Sequence, residues 1–132
     1  MNYISFLLLS LTLIGCSSTN SYDDEHMYDM SSQFKDLAQS VDGMVKFGDL
    51  AGKDGYQVLT QVFLESPEKT KPFEKYTIKV ELQGENAILL LCEKDVALIE
   101  DAGCNAVLDK HYWNAPKPNS CNFTIDSSTL CK

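Results

Sequence analysis

Two groups of residues in this 132-residue chain have the types to do chemistry. They are its five cysteines and the run Asp109-Lys110-His111-Tyr112-Trp113, where a carboxylate, an imidazole and two large aromatics stand together. Four of the cysteines, Cys92, Cys104, Cys121 and Cys131, are spaced by 12, 17 and 10 residues and include no Cys-x-x-Cys pair. A structural zinc centre or a dithiol redox site wants that close pair. An even number of widely spaced thiols instead suits two disulfides, formed in an oxidising compartment. Four thiols permit three pairings, and spacing does not choose among them. Anchoring the C-terminus favours Cys104 with Cys121 and Cys92 with Cys131.

His111 could serve as a general acid or base only with a reacting partner within about 3 Å of its ring. The chain offers no Gly-x-Ser-x-Gly or His-Glu-x-x-His frame to supply one. The expected role of His111, Tyr112 and Trp113 is therefore contact, because Trp and Tyr dominate interface hot spots. The competing expectation buries Trp113 in the domain's own core. A second set of potential ligands, Asp23, Asp24, Glu25 and His26, is consecutive and lacks the Asp-x-Asp-x-Asp-Gly loop of a calcium site. It reads as a solvated segment, and no metal or other cofactor is expected.

The formal net charge is -8, and all eleven cationic side chains are lysines. Without arginine the chain has none of the bidentate forks that grip phosphate. Its lysines are scattered apart from Lys69, Lys71 and Lys75, so nucleic acid is excluded as a partner. Acidity steers association toward cations.

The elements that must position these residues follow from hydrophobic period. Phe34, Leu37, Ala38 and Val41 recur at helical spacing, with Ser31 or Ser32 available as a cap and Gly43 as an interruption. Tyr56–Leu64 fits both periods, but Asp54 and Gln57 make a capping box and Ser66-Pro67 a stop, which predicts a helix presenting Tyr56, Leu59 and Phe63. Tyr76, Ile78, Val80 and Leu82 then alternate as a half-buried strand. Residues 87–92 are apolar throughout, as in a central strand covered by helices on one face and by something else on the other. Asp95–Glu100 suits either a short helix or a strand. Further strands are expected over Cys104–Leu108 and, at an edge, over Cys121–Ile125, with a loop at Pro116 and Pro118 between them. Helices followed by strands predict an α+β fold, N-terminal helices on a small antiparallel sheet, stapled by two disulfides.

The start of the chain carries a different signal. Residues 4–14 form an uncharged run that as a helix spans about 16 Å, half a bilayer core, so it suits a secretory signal and not a membrane span. It ends in Leu13-Ile14-Gly15-Cys16, which resembles the lipobox of bacterial lipoproteins. The resemblance covers about the first twenty residues. It implies cleavage between Gly15 and Cys16, acylation of Cys16 and, because Ser17 is not Asp, the outer membrane of a Gram-negative bacterium. On this reading residues 1–15 are removed, 16–28 form a flexible tether reaching about 20 Å, 29–126 fold as one domain and 127–132 are a tail. The functional expectation is a non-enzymatic envelope lipoprotein that binds another protein. The alternatives are an inhibitor or immunity protein against a basic hydrolase or toxin, and, least favoured, a small enzyme using His111.

Overall fold

The structure, a computed structural model, describes residues 23–49, 52–115 and 120–132. The expected leader, Gly15, Cys16 and the Pro116–Pro118 loop lie outside the described residues. The fold is α+β, with the N-terminal helices on one face of a four-stranded antiparallel sheet and two disulfides on the other side of it.

Helix α1 spans Asp24–Phe47, about 36 Å of helix. Its apolar stripe is Met27, Met30, Phe34, Leu37, Ala38 and Val41, all buried. The stripe therefore begins a full two turns before Phe34, and the cap is Asp23, whose carboxylate accepts from the His26 amide at 2.8 Å, in place of Ser31 or Ser32. Asp23 to Tyr28, expected to be tether, belong to the folded unit, because Met27 is fully buried. Gly43 does not stop the helix either. Met44 and Val45 pack against the core and carry it one turn further, to a cap at Gly48.

Helix α2, Gly55–Glu65, starts at the expected capping box. Asp54 accepts from the Gln57 amide at 2.9 Å and Gln57 Oε1 accepts from the Asp54 amide at 2.9 Å. Its first residue lies hard against the sheet, since a Cβ on Gly55 would come within 2.6 Å of the Val80 carbonyl oxygen. A short helix α3, Pro67–Thr70, and a 3-10 turn, Lys71–Phe73, bring Phe73 edge-on to Phe34 at 5.3 Å between centroids.

The strands run β1 Thr77–Gln83, β2 Asn86–Glu93, β3 Val96–Ala102 and β4 Lys110–His111, in that spatial order. The segment Asp95–Glu100 thus lies almost wholly in a strand. Two-residue turns join β1 to β2 and β2 to β3, and their first central residues, Gly84 and Lys94, have φ of 64° and 54°. Residues 87–92 of β2 are wholly buried. Ala87, Leu89 and Leu91 face the helices, while Ile88, Leu90 and Cys92 face the other way.

What covers that second face is the C-terminal segment, 120–132, with Cys121, Phe123 and Ile125 against β2. Cys121–Ile125 is not an edge strand. Its backbone bonds to side chains: Lys79 donates to the Cys121 carbonyl at 2.8 Å, Gln83 donates to the Ile125 carbonyl at 3.0 Å, and Glu100 accepts from the Thr124 and Ile125 amides, each at 2.6 Å. The expected tail is structured too, as a one-turn helix α4, Ser127–Leu130, with Ser127 buried. This segment is a strap. Cys92 is bonded to Cys121 and Cys104 to Cys131, which corrects the pairing expected from the sequence. Residue 92 projects from the strap face of β2 directly onto residue 121, while residue 104 follows the end of β3, where α4 brings residue 131.

Cys104–Leu108, expected as a strand, is a series of turns. The Asn105 side chain accepts from the Val107 amide at 3.1 Å, closing a local turn that competes with strand pairing, and Val107 is exposed. Immediately before it, Gly103 lies hard against α1. A Cβ there would lie 2.1 Å from the Ala38 carbonyl oxygen and 2.5 Å from the Asp42 Cβ. Gly103→Ala must push α1 off the sheet, with an expected loss of about 1 to 3 kcal/mol in urea unfolding. An unchanged denaturation midpoint would show that the contact can yield without cost.

Candidate functional site

Strand β4 and the residues after it carry the expected contact group, and the sheet separates its members. β4 pairs only through Ile99 with His111 and Glu100 with Lys110. This short pairing leaves His111 exposed at the rim, where its ring stacks on Trp113 at 3.9 Å and 21°. Partial burial of the imidazole holds its pKa below the usual histidine value. Trp113 is half-buried and packs against the helix-side core, so it belongs partly to the fold and partly to the surface. With the Asn114 amide oriented to satisfy both its neighbours, that amide accepts from Trp113 Nε1 at 3.2 Å and donates to Asp24 at 2.8 Å. The Trp113 turn is thereby tied to the first turn of α1.

Tyr112 does not face solvent with its neighbours. It is buried, and its hydroxyl donates to Glu100 at 2.5 Å and lies 2.9 Å from Thr124 Oγ1. Burial, then the bond to Glu100, pushes the phenol up to about 12. Lys110 lies over the Tyr112 ring at 5.4 Å and bonds to Thr124 Oγ1 at 2.9 Å. Tyr112 thus holds the strap down. His111 and Trp113 remain as the accessible pair, and that pair offers a flat stacking surface.

The four paired cysteines lie in cross-links and carry no free thiol. Among the described residues no cluster of three or more His, Cys, Asp or Glu side chains could hold a metal ion. No described helix is long and apolar enough to cross a membrane. No protein-family model matches the chain, and neither a curated protein nor a solved structure does.

A second surface was not anticipated. The buried face of α2 is Val58 and Val62 with Gly55, so Tyr56 and Phe63, which had suited the helical period, point outward. Tyr56 is 76% and Phe63 48% exposed, and half-buried Leu59 lies between them at helical spacing. Leu64 is also exposed. Below this row, a shallow recess of about 320 Å³ runs over the edge of β1 between Tyr56, Leu59, Ile78, Val80 and Phe123. The signal for it lay in the competing period of the same segment: Val58 and Val62, four apart, are one face of a helix, and the aromatics at 56 and 63 fall on another.

Proposed function

We propose that this chain is a lipid-anchored envelope lipoprotein that works by binding another protein through the outward row Tyr56, Leu59 and Phe63. The exposure of Tyr56 and Phe63 on one helix face, with half-buried Leu59 between them, carries the reading, because soluble surfaces seldom leave a contiguous apolar row uncovered without a use for it. An amphipathic helix presenting residues at i, i+3 and i+7 has the spacing by which helices dock. The anchoring part of the reading rests on Leu13-Ile14-Gly15-Cys16 and is supported by two cross-links of the kind formed outside the cytoplasm. Two or more acyl chains on Cys16 would make attachment stable without a spanning helix.

The experiment is site-specific photocrosslinking in intact cells from position 60, exposed between Tyr56 and Phe63, with position 85 in the β1–β2 turn as control. A discrete adduct from 60, absent from 85 and abolished by Tyr56→Asp with Phe63→Asp while the melting temperature is unchanged, is the expected result. Equal labelling from both positions sinks the reading. Intact mass of the purified product tests the anchor separately, by whether the chain starts at Cys16 and carries acyl groups.

The net charge of -8 favours one rival, an inhibitor or immunity protein for a basic hydrolase or toxin. Its association rate would fall steeply with added salt, whereas docking through the α2 row would be nearly indifferent to it.

A further inference from the structure

Lys35, on α1, is a buried cation, 6% exposed, aimed at the end of β3. Its Nζ donates to the Ala102 carbonyl at 2.7 Å and to the carbonyl and side-chain oxygens of Asn105 at 3.1 Å each. It is also ion-paired with Asp101 and, at 3.2 Å, with Asp109. The side chains of Asp101 and Asp109 are 1% and 3% exposed. Asp109 accepts in addition from the Ala102 amide at 2.8 Å and from the Asn105 amide group at 3.0 Å. The cluster therefore fixes the turns 103–109 to α1.

The groups that face Asp101 leave it one charge short. From α1 comes Lys35, from the loop comes Asp109, and from β2 the cross-strand neighbour is apolar Leu89. With both carboxyls ionised, one ammonium faces two negative charges in a site closed to water. Burying that surplus is costly, and taking up a single proton removes it.

We propose that Lys35, Asp101 and Asp109 form a protonation latch, in which one proton on Asp101 closes the loop 103–109 onto α1 and its loss loosens that loop. Burial pushes the Asp101 carboxyl up to about 7, although Lys35 pulls it down; the Asp109 charge adds to the rise and the Asp109 backbone N–H, which donates to Asp101, works against it. The folded protein thus holds a proton that the unfolded chain, titrating near the ordinary aspartate value of about 3.9, has already lost. Between those values the folded state binds more protons, so stability is greatest on the acid side and declines as pH rises toward about 7. Loosening is local, because the Cys104–Cys131 bond still holds the start of the loop. The part that moves leads straight into β4, so the latch sets how firmly the His111 and Trp113 rim is held.

His111 works against this trend. Its lowered pKa means that the folded state resists protonation, which favours stability at higher pH. Comparison with Asp101→Asn, which keeps position 101 neutral at every pH, separates the two. The test is the unfolding equilibrium of the oxidised full chain and the amide exchange of residues 103–109, corrected for intrinsic rates, between pH values of about 5 and 8. The expected result is a wild-type opening constant for 103–109 that rises by up to about tenfold per pH unit within that interval and a nearly flat profile in Asp101→Asn. A flat wild-type profile, or the same slope in both proteins, overturns the proposal. Should Asp101→Asn fail to fold, carboxyl-carbon NMR titration of Asp101 in the wild type decides: a midpoint near neutrality supports the latch, and one near the ordinary aspartate value overturns it.

Discussion

Glu100→Ala is expected to cost about 3 to 5 kcal/mol of unfolding free energy, among the largest losses any single side chain of this fold can cause. Glu100 is fully buried on the strap face of β3, and its two oxygens accept from Tyr112, from the Thr124 hydroxyl and from the amides of Thr124 and Ile125, all within 2.7 Å. Removing the carboxyl strands two backbone N–H groups and a phenol beneath the strap, and each such orphan costs about 1 to 3 kcal/mol. Glu100→Gln keeps one acceptor oxygen but turns an N–H2 toward donors, so its loss should be smaller without vanishing. Urea titration measures the effect. A spectroscopic titration of the phenol checks the cause, because Tyr112, held up to about 12 in the wild type, should move back toward the ordinary tyrosine value when Glu100 is gone. A loss below 1 kcal/mol with Tyr112 unmoved would show that water replaces the carboxyl at no cost.

Removing both disulfides should have a greater effect still. They close loops with sequence separations of 29 and 27 residues, for which chain entropy predicts roughly 3 to 4 kcal/mol each. The combined loss, about 6 to 8 kcal/mol if additive, is comparable with the whole stability of an ordinary domain. The reason is local: the strap contributes only a few apolar side chains and owes its place to Glu100, Lys79, Gln83 and the cross-links. The quadruple Cys→Ser variant is therefore expected to be cleaved by protease within residues 120–132 under conditions where the oxidised protein resists. Equal resistance, with an equal urea midpoint, would show that packing alone holds the strap.

These two effects lie where the sequence was hardest to read. The α+β class, the capping box at Asp54 and Gln57, and the doubly buried strand over 87–92 were all legible, because local chemistry and periodicity agree there. So was the need for a second cover over that strand. What formed the cover was not, since Cys121–Ile125 has strand composition but finds its hydrogen-bond partners in side chains distant along the chain. Glu100 and Asp101 were hidden for a related reason. Two adjacent acids at the end of an apolar segment carry no sign of burial in the sequence, yet alternation along β3 sends one under the strap and the other under α1. Each is buried only because donors from elsewhere converge on it. In the candidate contact group, the side chains could be named from composition, but which were free could not: Tyr112 went inward to Glu100, while the row on α2 turned outward because Val58 and Val62 had taken the core side.

The cross-links join the first of the four paired thiols to the third and the second to the fourth, so the two loops interleave. Loop closure favours short separations, so a reduced chain meeting an oxidant joins sequence neighbours, Cys92 with Cys104 or Cys121 with Cys131, more readily than the native pairs. Either such bond is easy to form and the wrong one to keep. Oxidative folding then requires thiolate attack to reopen it, which makes disulfide exchange, more than oxidation itself, the step on which the yield of native protein should depend.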